Sequence, residues 1–278
     1  MTALTELRDS QDLLVNLTLR EVRGKYKRTV FGQLWSLLNP IAQMATYSVV
    51  FAIILRNKPA AGSPSGVDLF TLWLAAGLIP WLYFSNVLTT GMGSLVGNAN
   101  LIQKVYFPRE TLVIANTASW LFTFTLEMSV VAATILGYEL YEKGNGAWRH
   151  SPLTYLPATV VLMLLLTAFG LGLAMMLAVA NVYFRDTQHF IQIAMQVWFY
   201  ASAIVYPLSS VSQHHPHLTF LVRLNPVERF VEAFRNTLYD GRLPTWQNSV
   251  FLVLASVIAL LLGYLLFKRY EGRLAEEL

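Results

Sequence analysis

Cysteine is absent from all 278 residues, and charged side chains make up only 13% of the chain, about half the share usual in a soluble domain. The first absence excludes disulfides, thiolate metal sites and cysteine nucleophiles. No G-x-x-x-x-G-K-[ST] loop occurs anywhere, so the chain has no ordinary cradle for nucleotide phosphates. Nucleophile elbows, zinc-protease motifs and paired-carboxylate patterns are missing too, which argues against an integral membrane enzyme. Histidine is scarce. Three of the five lie in QHHPH at 213–217, where Pro216 disrupts helical spacing and no carboxylate stands near in sequence; an exposed loop without metal is expected. The opening MTALTELRDSQD has no apolar core ahead of a small-residue cleavage site, so no removable signal peptide is expected.

What the chain has instead is apolar material, 55% of its residues. It falls in six runs, at about Leu37–Leu55, Leu69–Leu88, Leu112–Leu136, Leu153–Phe184, Phe190–Leu208 and Val250–Phe267. Each is close to the roughly 20 residues that cross a bilayer as a helix. The runs are continuous and do not alternate, so helices are expected rather than a barrel. The resulting fold class is an all-α integral membrane protein. Residues 1–35 form a cytoplasmic or interfacial segment, 36–267 a six-span domain and 268–278 a short tail. Six spans put both termini on one side. Placing them in the cytoplasm leaves 12 basic residues inside against 8 outside, with five crowded between Arg20 and Arg28 just before the first span. That is the positive-inside bias. The basic residues adjoin apolar runs rather than forming one long patch, so a nucleic-acid partner is not expected.

Within this frame several features stand out. Pro40 and Pro80 sit in or near the first two spans, where proline kinks a helix unless neighbours satisfy the freed carbonyls. Gly170, Ala174 and Ala178 form a small-residue stripe that suits close helix packing, either within the chain or between two copies. Glu127 lies near the middle of the third run, where a carboxylate costs about 2.5–3.5 kcal/mol to insert and so faces protein or water. Residues 12–40 begin with an amphipathic segment bearing Leu13, Leu14 and Leu17, as in a helix lying in the membrane interface. In NANLIQKVYFPRE, residues 98–110, Asn98 or Asn100 can cap a short helix with Leu101, Ile102, Val105 and Tyr106 on its apolar side, ended by Pro108. A tight loop resting on the membrane fits the same residues. The external stretch LNPVERFVEAFRNTL pairs Asn225 as cap with Pro226 at the first helical position and Glu228 in a capping box. Its apolar face would be Val227, Phe230, Val231, Phe234 and Leu238, opposite Glu228, Glu232 and Arg235. A short re-entrant or interfacial helix is expected there.

Taken in order, LREVRGKYKRTVFGQLWSLLNP, LAAGLIPWLYFSNVL, NANLIQKVYFPRE, the FRD at 184–186 and LNPVERFVEAFRNTLYDG resemble the membrane subunits of polysaccharide-exporting ABC transporters over nearly the whole chain. The resemblance implies a homodimeric permease in a bacterial inner membrane, working with two copies of a cytoplasmic ATPase that holds the ATP and Mg. This chain itself would bind no cofactor. By that likeness Asn100, Leu101, Ile102, Lys104, Tyr106 and Phe107 form a coupling helix that docks on the ATPase, with Arg185 and Asp186 on the second cytoplasmic connection. Arg23, Lys25, Lys27 and Arg28 would admit the diphosphate of a polyprenyl-linked glycan. Asn225, Pro226, Glu228, Phe230 and Arg235 would close the outer end of the channel. A sugar passage can be lined with aromatic rings, for which Tyr47, Phe51, Trp198 and Tyr200 are the candidates beside Glu127, although membrane-belt or core roles fit each ring as well. Fourteen arginines against six lysines suit a GC-rich genome, which suggests a galactan exporter; O-antigen and teichoic acid fit the same motifs. An ion-coupled secondary transporter is the rival reading, and it would need intramembrane charge pairs or repeated broken helices.

Overall fold

The computed structural model describes residues 11–25, 27, 29–54, 60–105, 107–143, 151–209 and 216–277. Tyr106 and Arg28 therefore lie outside the described residues, as do His214 and His215. Every regular element among the described residues is helical. In chain order they are α1 (Gln11–Gly24), α2 (Trp35–Tyr47), α3 (Phe70–Gly97), α4 (Ala99–Lys104), α5 (Glu110–Lys143), α6 (Leu156–Tyr183), α7 (Thr187–Ala201), α8 (Pro216–Arg223), α9 (Pro226–Arg235), α10 (Trp246–Tyr270) and α11 (Leu274–Glu277).

Four stretches are long and apolar enough to cross a membrane: Phe70–Gly97, Glu110–Tyr141, Pro152–Tyr183 and Trp246–Arg273. The first and fifth runs are built differently. After 13 residues of α-helix, α2 widens into a π-helix over Ser48–Ile54. The fifth, α7, stops after 15 residues, about 22 Å at 1.5 Å per residue and short of a hydrocarbon core of about 30 Å. Neither Pro40 nor Pro80 ends its helix.

Residue pairing gives the direction of each long helix. Tyr83 bonds Thr167, and Gly170 and Ala174 lie against Val87 and Gly91, so α3 and α6 run parallel. The Ser256 hydroxyl donates to the Leu165 carbonyl and Gly263 lies on Gly172, so α10 runs parallel to α6. The chain of bonds from the Trp120 indole to Thr90 and from Thr90 to Asn116, with Phe124 stacked on Tyr83 at 4.4 Å, sets α5 antiparallel to α3. One end of the bundle thus carries α4, the start of α5 and the last turns of α3, α6 and α10. The other carries α9 and the first turns of α3, α6 and α10.

The small-residue stripe serves packing inside the chain, on α3. On the opposite side of α6, Gly172 and Gly263 let two backbones touch: a Cβ on Gly172 would strike the Ala259 carbonyl, and one on Gly263 the Gly172 carbonyl. With no Cβ at either position, the helices approach to backbone contact. At the α4 end, buried Glu110 pairs with Lys268 (2.7 Å), which also holds Glu271 at 2.9 Å. The Arg109 amide donates to the Glu271 carboxylate and its guanidinium to the Glu271 carbonyl. The turn after α4 is thereby clamped to the end of α10, where Leu274 is fully buried.

The glycine contact yields a test. Gly263→Val should lower the midpoint of thermal unfolding in detergent by an amount equivalent to about 1–3 kcal/mol of overpacking. Gly93→Ala, where an added Cβ meets nothing within 4 Å, should leave it unchanged or slightly raised. Equal melting of both variants would show that α6 and α10 are not packed this closely.

Candidate functional site: an aromatic and amide vestibule beside a broken helix

Three helices converge on a cavity of ≈ 390 Å³ lined by Gln43 and Tyr47 of α2, Trp81, Leu82 and Ser85 of α3, and Met195, Gln196, Phe199 and Tyr200 of α7. The rings are mutually braced. Phe199 stacks on Tyr47 at 5.8 Å, tilts against Trp81 at 5.8 Å and meets Tyr200 edge-on at 5.1 Å. Each such pair contributes about 0.5–1.5 kcal/mol beyond area burial, so the cluster holds α2, α3 and α7 together while leaving ring faces at the cavity. Two primary amides and three hydroxyls, those of Ser85, Tyr47 and Tyr200, supply both donors and acceptors. None of the nine lining side chains is charged. Such a surface can grip a polar, ring-shaped solute without a fixed ionic anchor.

Of the sequence candidates for the passage, the structure brings Tyr47 and Tyr200 into this cavity. Phe51 leans on Tyr47 at 6.4 Å from the π-helical segment. Trp198 is placed elsewhere: its indole donates to the Asn225 side chain (2.8 Å) and its ring meets Phe84 edge-on. Glu127 is also elsewhere, nearly buried in a narrow apolar groove of ≈ 60 Å³ between α2, α3 and α5. Gln43, Trp81, Ser85, Gln196 and Phe199 were not singled out by sequence. Apolar and neutral residues at helical spacing carry no local sign that three elements will meet there.

The break in α7 explains the LNPVERFVEAFR motif. Beyond Ala201 the chain turns through Ser202 and Ala203, the latter at φ 48°, and carbonyls of the bend are left without helical partners, that of Ala203 because residue 207 is proline and has no N–H. Arg235 takes two of them, donating to the carbonyls of Ala203 (2.9 Å) and Ile204 (2.6 Å), with a longer bond to Trp73 (3.4 Å) and its guanidinium 3.6 Å above the Trp73 ring. Gly77 leaves room for it: a Cβ there would lie 3.0 Å from the guanidinium. Asn225 caps α9 through the Val227 amide and uses its own amide on Ser202 and Ala201. Each buried carbonyl left unpaired would cost about 1–3 kcal/mol. A cation at a helix C-terminus is also favoured by the helix dipole. The expected apolar face of α9 is buried, from Val227 to Leu238, with Phe230 in it. Pro226 opens the helix. The capping box does not close, because the Asn225 amide donates to Val222 instead. Glu228 is left 3% exposed with Oε2 unpartnered among the described residues.

At the α4 end, Asn98 is the first residue before α4, yet its side chain does not cap the helix. It donates to Ser94 and accepts from Arg20 of α1 (2.8 Å), tying the two short helices together. Ile102 and Phe107 are buried and Leu101 is half-buried, whereas Asn100 and Lys104 are exposed. Val105 is exposed too, contrary to the expected apolar side, because helical geometry stops at Lys104 and Val105 is extended. Arg185 and Asp186 are exposed where α7 begins. In the basic cluster, Arg23 and Lys27 face outward. Lys25 turns in, its ammonium 3.4 Å over the Trp120 ring. Burial pulls it down to about 7 against the opposing pull of Glu21 and Glu127.

Residues 12–239 match the family described as ABC-2 type transporter. The chain belongs to this family. It is a multi-pass membrane protein, and its relatives are permeases. An O-antigen export system permease from Myxococcus xanthus is 28% identical over 98% of both chains. One from Klebsiella pneumoniae is 25% identical over 95% of this chain and 94% of its own. A polysialic acid transport protein from Escherichia coli is 24% identical over 92% of each.

Burial, more than the neighbouring Glu232, pushes the Glu228 carboxyl up to about 7, against the pull of Arg229, Arg223 and Arg235. The folded protein then keeps a proton that the unfolded chain loses near pH 4.5. Stability should fall as pH rises from about 4.5 to about 7 and level off above. Glu228→Gln should accordingly melt with the wild type at pH 5 and a few degrees above it at pH 8. A difference that does not change with pH would contradict the assignment.

Proposed function

We propose that this chain is the permease subunit of an ATP-driven exporter that moves a lipid-linked polysaccharide across the bacterial inner membrane, with ATP hydrolysed by a separate subunit. The observation that carries the reading is the vestibule of aromatic rings and amides on a chain of this family. Ring faces accept the C–H edges of sugars, and amides exchange hydrogen bonds with hydroxyls as a glycan slides. No nucleotide-phosphate loop exists in the sequence, so energy comes from a partner. The relatives named for O-antigen export favour an O-antigen-like cargo on a polyprenyl diphosphate, with galactan as the narrower reading and teichoic acid as the alternative.

In this reading the polypeptide crosses six times. Helix α2 with its π-helical continuation leads from the α4 end to the start of α3, and α7 with the stapled bend leads back toward α9. The α4 end and both termini face the cytoplasm. The exposed Asn100 and Lys104 of α4, with Arg185 and Asp186, meet the ATPase, while the buried Ile102 and Phe107 transmit the push. Exposed Arg23 and Lys27 draw the lipid diphosphate, and α9 with Arg235 closes the far end. Two copies of the chain and two ATPases form the working unit.

Because the chain has no native cysteine, Lys104→Cys gives a unique label. An impermeant thiol reagent should reach it in inside-out vesicles and not in intact spheroplasts; labelling from the outside would invert the topology. Tyr47→Ala and Trp81→Ala should each cut glycan export at least five-fold in cells while the complex with the ATPase still purifies. Undiminished export would remove the vestibule from the path.

A further inference from the structure

A second cavity, of ≈ 360 Å³, opens at the α9 end of the same α3–α7 seam. Trp73, which lines it, stands two helical turns before Trp81 of the vestibule on α3, about 12 Å away at 1.5 Å per residue. Pro207, Leu208 and Ser209 continue the chain beyond α7 into its wall. Its charged lining comprises three carboxylates, Glu228, Glu232 and Asp240, and two arginines. The arginines are already engaged. Arg235 holds the carbonyls of the bend and Trp73, and Arg242 pairs with Asp240 at 3.0 Å. Asp240 is thereby matched, whereas Glu228 and Glu232 have no ion pair among the described residues. Glu228 is buried to 97% and lines a space large enough for a ligand, its Oε2 shielded from solvent and without a donor among the described residues. A buried acceptor of this kind costs stability unless a donor arrives.

We propose that this cavity is a second sugar subsite, taking an uncharged, hydroxyl-rich pyranose whose O–H groups donate to Glu228 and Glu232. It rests on the export reading and adds to it a cargo class: a neutral glycan, with polyanionic chains excluded. Hydroxyls meet the site's surplus of acceptors, and once Glu228 has lost its proton, above about pH 7, its charge-assisted bonds are roughly twice as strong as neutral ones. Ser63, Asn236 and Tyr239 on the same wall supply further polar partners. A metal ion is the poorer occupant, since no group of three or more ligating side chains with metal-binding spacing occurs among the described residues. A sugar carboxylate would meet Glu228 and Glu232 and find both guanidinium groups of the described lining taken. The vestibule agrees, having no cation to offer an anionic glycan.

The test uses the full chain in nanodiscs without its ATPase, so that it does not depend on export. Binding of a fluorescently labelled galactose hexamer and of the matching galacturonate hexamer is measured by anisotropy. The wild type should prefer galactose at least ten-fold. Glu228→Gln, and separately Glu232→Gln, should narrow that preference at least three-fold by weakening galactose and admitting galacturonate. Gln196→Ala in the vestibule should weaken galactose while leaving the response to the Glu228 substitution intact. Equal binding of the two hexamers to the wild type, no binding of either, or a preference untouched by both carboxylate variants would overturn the subsite. Any of these could coexist with ATPase-dependent export, so failure here is separable from failure of the transport reading.

Discussion

In a lipid environment no backbone carbonyl can be left to solvent, and this structure is organised around the place where that rule is hardest to meet. Helix α7 ends inside the protein, and the carbonyls beyond its last turn are taken by side chains from another element. Arg235 and Asn225 are therefore the condition for that break. They permit an irregular segment at the end of the vestibule, and they fix α9 against α3 and α7 at the same time. Lysine could not replace the arginine, because only the planar fork reaches two successive carbonyls while lying flat on Trp73.

That constraint connects the two cavities. A continuous α7 would have filled the seam with one more smooth helix. Its interruption leaves the vestibule on one side, walled by Tyr47, Trp81 and Phe199, and the acidic space on the other, walled by the residues following the bend. The same staple that satisfies the backbone uses up the strongest cation nearby. The electrostatic character of the cavity at the α9 end is thus a by-product of how the helix break is repaired.

Much of the helical order was legible in the sequence, because run length and 3.6-residue periodicity are local properties. Four of the six runs became the four longest helices, the run at 250–267 among them although it is the shortest, and Val227, Phe230, Val231 and Phe234 are buried together as their spacing implies. The short α4 was legible as one of two readings, the other a tight loop, but its cap was not, since Asn98 bonds Ser94 and Arg20 instead, nor was Val105, where the end of the helix cancels the periodicity. What could not be read was register between elements. Gln43, Trp81 and Gln196 meet only because α2, α3 and α7 pack at one height, and Trp198 turns away because Asn225 offers its indole a partner. The role of Arg235 was hidden for the same reason: Pro207 marks a run that cannot stay helical to its end, but nothing local says which side chain takes the carbonyls left there. Glu110 and Lys268 pair across 158 positions of sequence, and neither has a neighbour that announces the other.

The clamp at the start of α5 has a mechanical consequence. Lys268 holds Glu110 and Glu271 together, and a few turns away α10 is seated backbone to backbone on α6. Any load delivered to the turn after α4 is spread at once over α5, α10 and α6, which respond as one stiff lever. Helix α2, with its widened final turns, and the interrupted α7 stand outside this clamp, and these are the two that border the vestibule with α3.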